Sequence, residues 1–203
     1  MQPTETSALA LVAALAALPV AATIGREPPP VLGRPNGKLD RKGDVTDACS
    51  SAAILGTLVD THSAARIALD DLEPTQARFD ALLRDPVLGS EHGIDAAILP
   101  LVRSIAAHHP LARIEVVSGF RSPKLNEELR KKGHHVASHS QHTLGHAMDL
   151  RIVPEGQTVA IDPRTLASEV RELGWKGGVG IYLGTDDRFV HADTGPLRTW
   201  YGQ

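Results

Sequence analysis

A chain of 203 residues with a formal net charge of -3 has room for one substantial core, and not for two full domains once its N-terminal region is set aside. Its 21 Lys and Arg stand against 24 Asp and Glu with no basic stripe beyond Arg130-Lys131-Lys132, which reads as a solvated helix end, so the footprint of a nucleic-acid binder is missing. Aromatic residues make up 3% of the chain, too few for base-stacking platforms, and the single cysteine, Cys49, excludes a cysteine-built structural zinc site and an intramolecular disulfide.

In chain order, residues 8–22 are an apolar run of Ala, Leu and Val ending in a Val20-x-Ala22 pattern suited to signal cleavage. The run is shorter than the ~20 residues a membrane span needs. Residues 1–23 are therefore read as a signal peptide, which implies export to the periplasm or cell wall. The charge order argues the other way: Glu5 precedes the run, whereas Arg26, Arg34, Lys38, Arg41 and Lys42 follow it. An uncleaved anchor and a mis-assigned start codon are the alternatives. Residues 24–53 are rich in Pro and Gly, including Pro28-Pro29-Pro30, and form an extended linker that contains Cys49. The folded domain is expected over residues 54–203.

Within that domain, residues 57–69 permit either a helix or a hairpin. Residues 95–108 carry Ile98, Leu101, Val102 and Ile105 at helical spacing and predict a helix packed on a sheet. Ser122-Pro123 supplies a cap and a first-turn proline for a second helix stopped by Gly133; Asp162-Pro163 and Gly174 do the same for a third. Residues 113–120, 146–152, 179–183 and 188–194 read as strands.

In a strand, side chains at i and i+2 share a face. His146, Met148, Leu150 and Ile152 then fall on one face, with Ala147, Asp149 and Arg151 on the other. The same rule groups Phe189, His191 and Asp193 against Val190 and Ala192. If these two strands are neighbours, Asp149 and His191 reach one ion, and His142, on the loop entering the first strand, closes over it. Gly145 lets that loop turn sharply. Two imidazoles and a carboxylate, with a fourth position open for water, suit a catalytic zinc ion. For any one of the ten histidines taken alone, a polar surface or hydrogen-bonded core role is the default; the surroundings decide here. His134, His135, His139 and His146 are read as rim or structural residues, and His108-His109 as a helix end favourable to the helix dipole.

The pattern Ser140-x-His142-x-x-Gly145-x-Ala147-x-Asp149 is preceded by Val117-Ser118-Gly119-Phe120-Arg121-Ser122. It is followed by Gly178-Val179-Gly180-Ile181-Tyr182 and Phe189-Val190-His191-Ala192-Asp193. Together these resemble the zinc D-alanyl-D-alanine peptidase family, and more narrowly its branch of bacterial murein endopeptidases, from about Leu55 to the C-terminus. The resemblance implies an α+β fold of the hedgehog and D-Ala-D-Ala-peptidase type, a small antiparallel sheet flanked by helices. It implies one Zn2+ on His142, Asp149 and His191, and attack of zinc-bound water on peptide bonds in peptidoglycan stem peptides or cross-links, as a murein endopeptidase or D,D-carboxypeptidase. Peptidoglycan peptides are then the partner, and the mature domain is expected to be a monomer without a membrane span.

The resemblance also favours a hairpin around Ser63-Ala64-Ala65. In similar zinc peptidases the arginine of the Ser-Gly-aromatic-Arg-Ser motif holds substrate and its carbonyl oxygen, a role that falls to Arg121; a salt bridge or helix-start contact is its plainer role. Ser140 can hydrogen-bond substrate or simply serve the turn. Many relatives place an acid three residues before the last histidine, where this chain has Arg188; others place a histidine two residues from it, where this chain has Asp193. Asp193 can therefore act catalytically as the base, orient a histidine, or cap the following turn, with Asp187 as fallback. The missing acid keeps a second class open, a zinc-containing peptidoglycan-binding module that has lost catalysis.

Overall fold

Short alternating or apolar runs, each bounded by turn residues, become the strands of one seven-stranded sheet. The computed structural model describes residues 53–133, 137–184 and 188–202. The N-terminal segment 1–23, the linker with Cys49, and His134, His135 and Asp187 lie outside the described residues. The elements are β1 (Gly56–Asp60), β2 (Arg66–Leu69), α1 (Gln76–Leu82), α2 (Ile98–His108), β3 (Ala112–Ser118), α3 (Pro123–Lys131), a 3-10 turn (Gln141–Leu144), β4 (Ala147–Val153), α4 (Pro163–Glu172), β5 (Gly178–Leu183), β6 (Arg188–Asp193) and β7 (Arg198–Tyr201).

The sheet order is β2-β1-β3-β4-β6-β5-β7. The centre is antiparallel, as expected: β3 with β4, β4 with β6, and β6 with β5. The sheet is larger than the sequence suggested, and β1/β3 and β5/β7 are parallel pairs. Residues 57–69 form the hairpin β1/β2, because the Asp60 carboxylate accepts the amides of His62 and Ser63 (3.0 and 3.2 Å) and so closes a turn rather than continuing a helix.

The caps behave as their residue types dictate. Ser122 accepts the Leu125 amide and Asp162 the Arg164 amide, while Gly133 and Gly174 take φ of +84° just past the helix ends. Helix α2 starts at Ile98, later than its periodicity suggested, because Asp95 makes a turn of its own in which its carboxylate accepts the Ala97 amide (2.9 Å). Met148, Leu150 and Ile152 of β4 are buried in one cluster with Ile98, Val102 and Ile105 of α2 and Leu166 and Val170 of α4. Asp149 and Arg151 project from the opposite face of that strand, as the alternation predicts. Among the described residues no helix is long and apolar enough to cross a membrane.

One local device sets up the site. Behind α1, the fully buried Asp85 accepts the amides of Val87, Leu88 and Ser122, each at 2.8 Å. The Phe120 amide donates to Leu83 O at 2.7 Å, and a Cβ at Gly119 would lie 2.6 Å from Leu83 Cβ. The turn after α1 is thereby seated against the end of β3, which fixes Gly119, Arg121 and Ser122.

Candidate metal centre

Antiparallel pairing puts Asp149 of β4 directly opposite His191 of β6. His142 reaches them from the 3-10 turn, whose first amides are held by Ser140: its Oγ accepts the His142 amide at 3.3 Å. Gly145 ends the turn at φ +70°, where a Cβ would meet Gly93 O at 2.2 Å, so only glycine fits.

Three donor atoms converge. Asp149 Oδ1 lies 2.7 Å from His191 Nδ1 and 3.2 Å from His142 Nε2, and the two nitrogens are 3.1 Å apart. All three side chains are buried. The far edge of each imidazole is spoken for. His142 Nδ1 donates to Gly119 O at 2.7 Å and His191 Nε2 to Asp193 Oδ2 at 3.0 Å, so when each imidazole is neutral its inward nitrogen is the one that carries the lone pair. The second oxygen of Asp149 accepts from Arg121 Nη2 at 2.7 Å, and Arg121 Nε donates to Ser118 Oγ at 2.8 Å.

A set of two imidazole nitrogens and a carboxylate oxygen is a nitrogen-and-oxygen donor set of the kind zinc takes in open sites. Ligand atoms bonded at 2.0–2.1 Å in a tetrahedral site lie about 3.3 Å from one another. The His142 separations are close to that, so the residues present fit the ion.

The electrostatics say the same. Burial disfavours a charged His191, yet hydrogen bonds to Asp149 and Asp193 outweigh it and push the imidazole up to about 9. Burial also works against the Asp149 carboxylate, but His142 and His191 hold it well below the usual range. His142 moves down, burial outweighing its attraction to Asp149. A lowered carboxylate beside a raised imidazole favours positive charge at the centre of the trio, from a proton on His191 or from a metal ion.

The donors form the floor of a cleft of about 370 Å3 lined by Arg121, His139, Ser140, Tyr182, Phe189 and Trp200 among others. Arg121 and Ser140, the two residues read from the sequence as substrate contacts, therefore both line this cleft. Asp193 is fully buried and lies behind His191, on the ring edge opposite the other donors. Its carboxylate also accepts from Gly195 N at 2.8 Å and Arg198 Nη2 at 2.7 Å. Sequence reasoning missed Tyr182, Arg198 and Trp200 as cleft residues. Nothing along the chain marks Arg198 and Trp200, whose place on the cleft depends on the pairing of β7 with β5 and of β5 with β6.

An α+β fold that brings two histidines and an aspartate together on the floor of an open cleft defines a candidate mononuclear metal site. The particular family follows from sequence: the pattern of the family described as "Peptidoglycan L,D-endopeptidase MepK" matches residues 70–200, well over half of the chain, and the chain belongs to that family.

Among individual relatives, the probable peptidoglycan L,D-endopeptidase MepK of Haemophilus influenzae is 36% identical over 129 residues, covering 62% of this chain and 63% of that protein. The peptidoglycan L,D-endopeptidase MepK of Escherichia coli is 42% identical over 87 residues, 43% of each. The chain thus spans a little under two thirds of the first and less than half of the second. The crystal structure of the Serratia marcescens L-Ala D-Glu endopeptidase ChiX aligns at TM-score 0.35 and 19% identity over 61% of this chain and 93% of that one.

Proposed function

We propose that this chain is a zinc-dependent peptidase that hydrolyses peptide bonds in peptidoglycan stem peptides or cross-links, with His142, Asp149 and His191 as the metal ligands. The observation that carries the reading is the convergence of three lone-pair donors, each pinned from behind, at the floor of an open cleft. The relatives are named as L,D-endopeptidases, which makes an L,D bond the first to assay. Such a substrate lies outside the cytoplasm, and we place the protein there, in the periplasm or cell wall.

Zinc, when bound, lowers the pKa of a coordinated water to roughly 7 and polarises the scissile carbonyl. The chain's own residues do the rest. The Gly119 carbonyl and the Asp193 carboxylate hold the outer N–H of each histidine and so orient the ligating nitrogens. Arg121 holds Asp149 Oδ2, which leaves Oδ1 for the ion. Its Nη1, without a hydrogen bond among the described residues, is the group that would steady the substrate carbonyl oxygen as negative charge develops there. Of the three roles open to Asp193, orienting His191 is the one its position favours. Ser140 serves the turn that presents His142, and its place on the cleft suits a substrate contact as well.

The test is to load the full chain with zinc, digest purified sacculi, and identify released muropeptides by mass. Products that vanish with a strong chelator support the proposal. The competing reading, a binding module without catalysis, is favoured by Arg188 in place of the acid three residues before His191 and by the engagement of Asp193 elsewhere. Zinc-loaded protein that sediments with sacculi and releases nothing would decide for the module. A folded preparation that takes up no zinc would end both.

A further inference from the structure

Pairing in the sheet creates two rows across β6, β5 and β7. One runs Asp193, Gly178, Arg198; the other runs His191, Gly180, Trp200. Backbones two strands apart are separated by about 9–10 Å, and a side chain on the middle strand would normally fill that space. Here the middle residue is glycine in both rows. A Cβ at Gly178 would sit 2.4 Å from Asp193 Oδ2, and one at Gly180 would sit 2.7 Å from Trp200. The bare stretch of β5 therefore lets side chains from the edge strand reach across to β6.

They do reach. Arg198 grips both oxygens of Asp193, Nη2 to Oδ2 at 2.7 Å and Nη1 to Oδ1 at 3.3 Å, and Nη1 also donates to Pro196 O at 3.0 Å. Its guanidinium lies 4.8 Å from the Trp200 ring centre, and Trp200 in turn lies 5.4 Å from His191, centre to centre. An exposed ion pair is worth little, but the Asp193 side chain is 0% exposed, so this arginine neutralises a buried carboxylate.

We propose that Arg198 is a positioning residue of the metal centre. It clamps Asp193 so that the carboxylate holds His191 Nε2–H, and His191 thereby presents Nδ1 to the ion, with Trp200 limiting rotation of the imidazole. The edge strand β7 is on this reading part of the metal site, although it supplies no ligand. The proposal rests on the assignment of His142, Asp149 and His191 as ligands.

The test measures zinc affinity of the full chain by competition with a chromophoric chelator, and the visible spectrum of the cobalt(II)-substituted protein. Wild type is compared with Arg198→Ala, Arg198→Lys, Asp193→Ala and the double variant Arg198→Ala/Asp193→Ala. Arg198→Ala is expected to weaken zinc binding about tenfold to a hundredfold and to shift the cobalt bands, with circular dichroism unchanged. Arg198→Lys should recover part of the affinity, and removing Arg198 in the Asp193→Ala background should add little.

Wild-type affinity and an unshifted cobalt spectrum in Arg198→Ala would overturn the proposal, as would a full repeat of the loss in the Asp193→Ala background. If Arg198→Ala does not fold, Arg198→Gln is the deciding variant: wild-type affinity there overturns the proposal and a loss supports it. A wild-type chain that binds no zinc would be a different failure, that of the ligand assignment itself.

Discussion

At the scale of single residues, the three donors were legible because chemistry-bearing types recur at spacings that strand alternation converts into shared faces. Asp149 and His191 needed only the assumption that β4 and β6 are neighbours, and the sheet supplies it. Arg198 and Trp200 were not legible for a physical reason. Their reach depends on two glycines in a third strand, a relation with no fixed offset along the chain. We expect His142→Ala, Asp149→Ala and His191→Ala each to lose both zinc and peptidase activity, and His139→Ala to keep zinc, as metal analysis of purified variants will show.

The geometry changes the expectation for Arg121. From sequence alone, Arg121→Ala should keep zinc and lose rate. The 2.7 Å contact to Asp149 means the variant should also bind zinc more weakly, while turnover at saturating zinc falls on the order of a hundredfold. Undiminished turnover would remove Arg121 from the chemistry. Proton bookkeeping follows from His191. With its imidazole pushed up to about 9, the metal-free site carries a proton at pH 7.5, and zinc needs the bare nitrogen. Zinc uptake near neutral pH should therefore release about one proton, which calorimetry in buffers of different ionisation enthalpy will count.

At the scale of elements, the capped helices were read most faithfully, since Ser122-Pro123 and Asp162-Pro163 each combine a side-chain cap with a preset φ. The elements missed are the short ones. Helix α1 has seven residues and buries only Phe79 and Leu82; β7 has four, largely exposed, with no alternation to detect. Yet α1 leads into the turn around Asp85, which ties it to the start of α3. Asp85→Ala strands three amides and should destabilise the fold by about 3 kcal/mol at neutral pH in urea unfolding. Burial works against the Asp85 carboxylate, but hydrogen bonds from Ser122, Leu88 and Val87 outweigh it and hold its pKa below the usual value. The stabilisation is thus complete above the unfolded value of about 4, and is lost as pH falls through the depressed folded value. The gap between wild type and Asp85→Ala should accordingly narrow in acid; a gap that stays constant down to pH 2 would mean the contribution is not ionic.

At the scale of the whole molecule, the α+β class and the antiparallel centre could be read from strands and helices in order, but the two parallel pairs could not. They arise because β3 returns beside β1 after α1 and α2, and β7 beside β5 after β6, and long returns leave no short-range signature. Among the described residues the same topology leaves an open sheet with two rims, and unpaired rims are templates on which other chains can add. Here β2 and β7 are each four residues long and each begins with an arginine, Arg66 and Arg198. A strand of another molecule would find only a brief ladder of amides and carbonyls free among the described residues, and at the β2 rim a positive charge at its start. Light scattering across a wide concentration range should therefore return the mass of a single chain, and growth of larger species on replacing Arg66 with an apolar residue would identify the β2 rim as a surface kept deliberately unsociable.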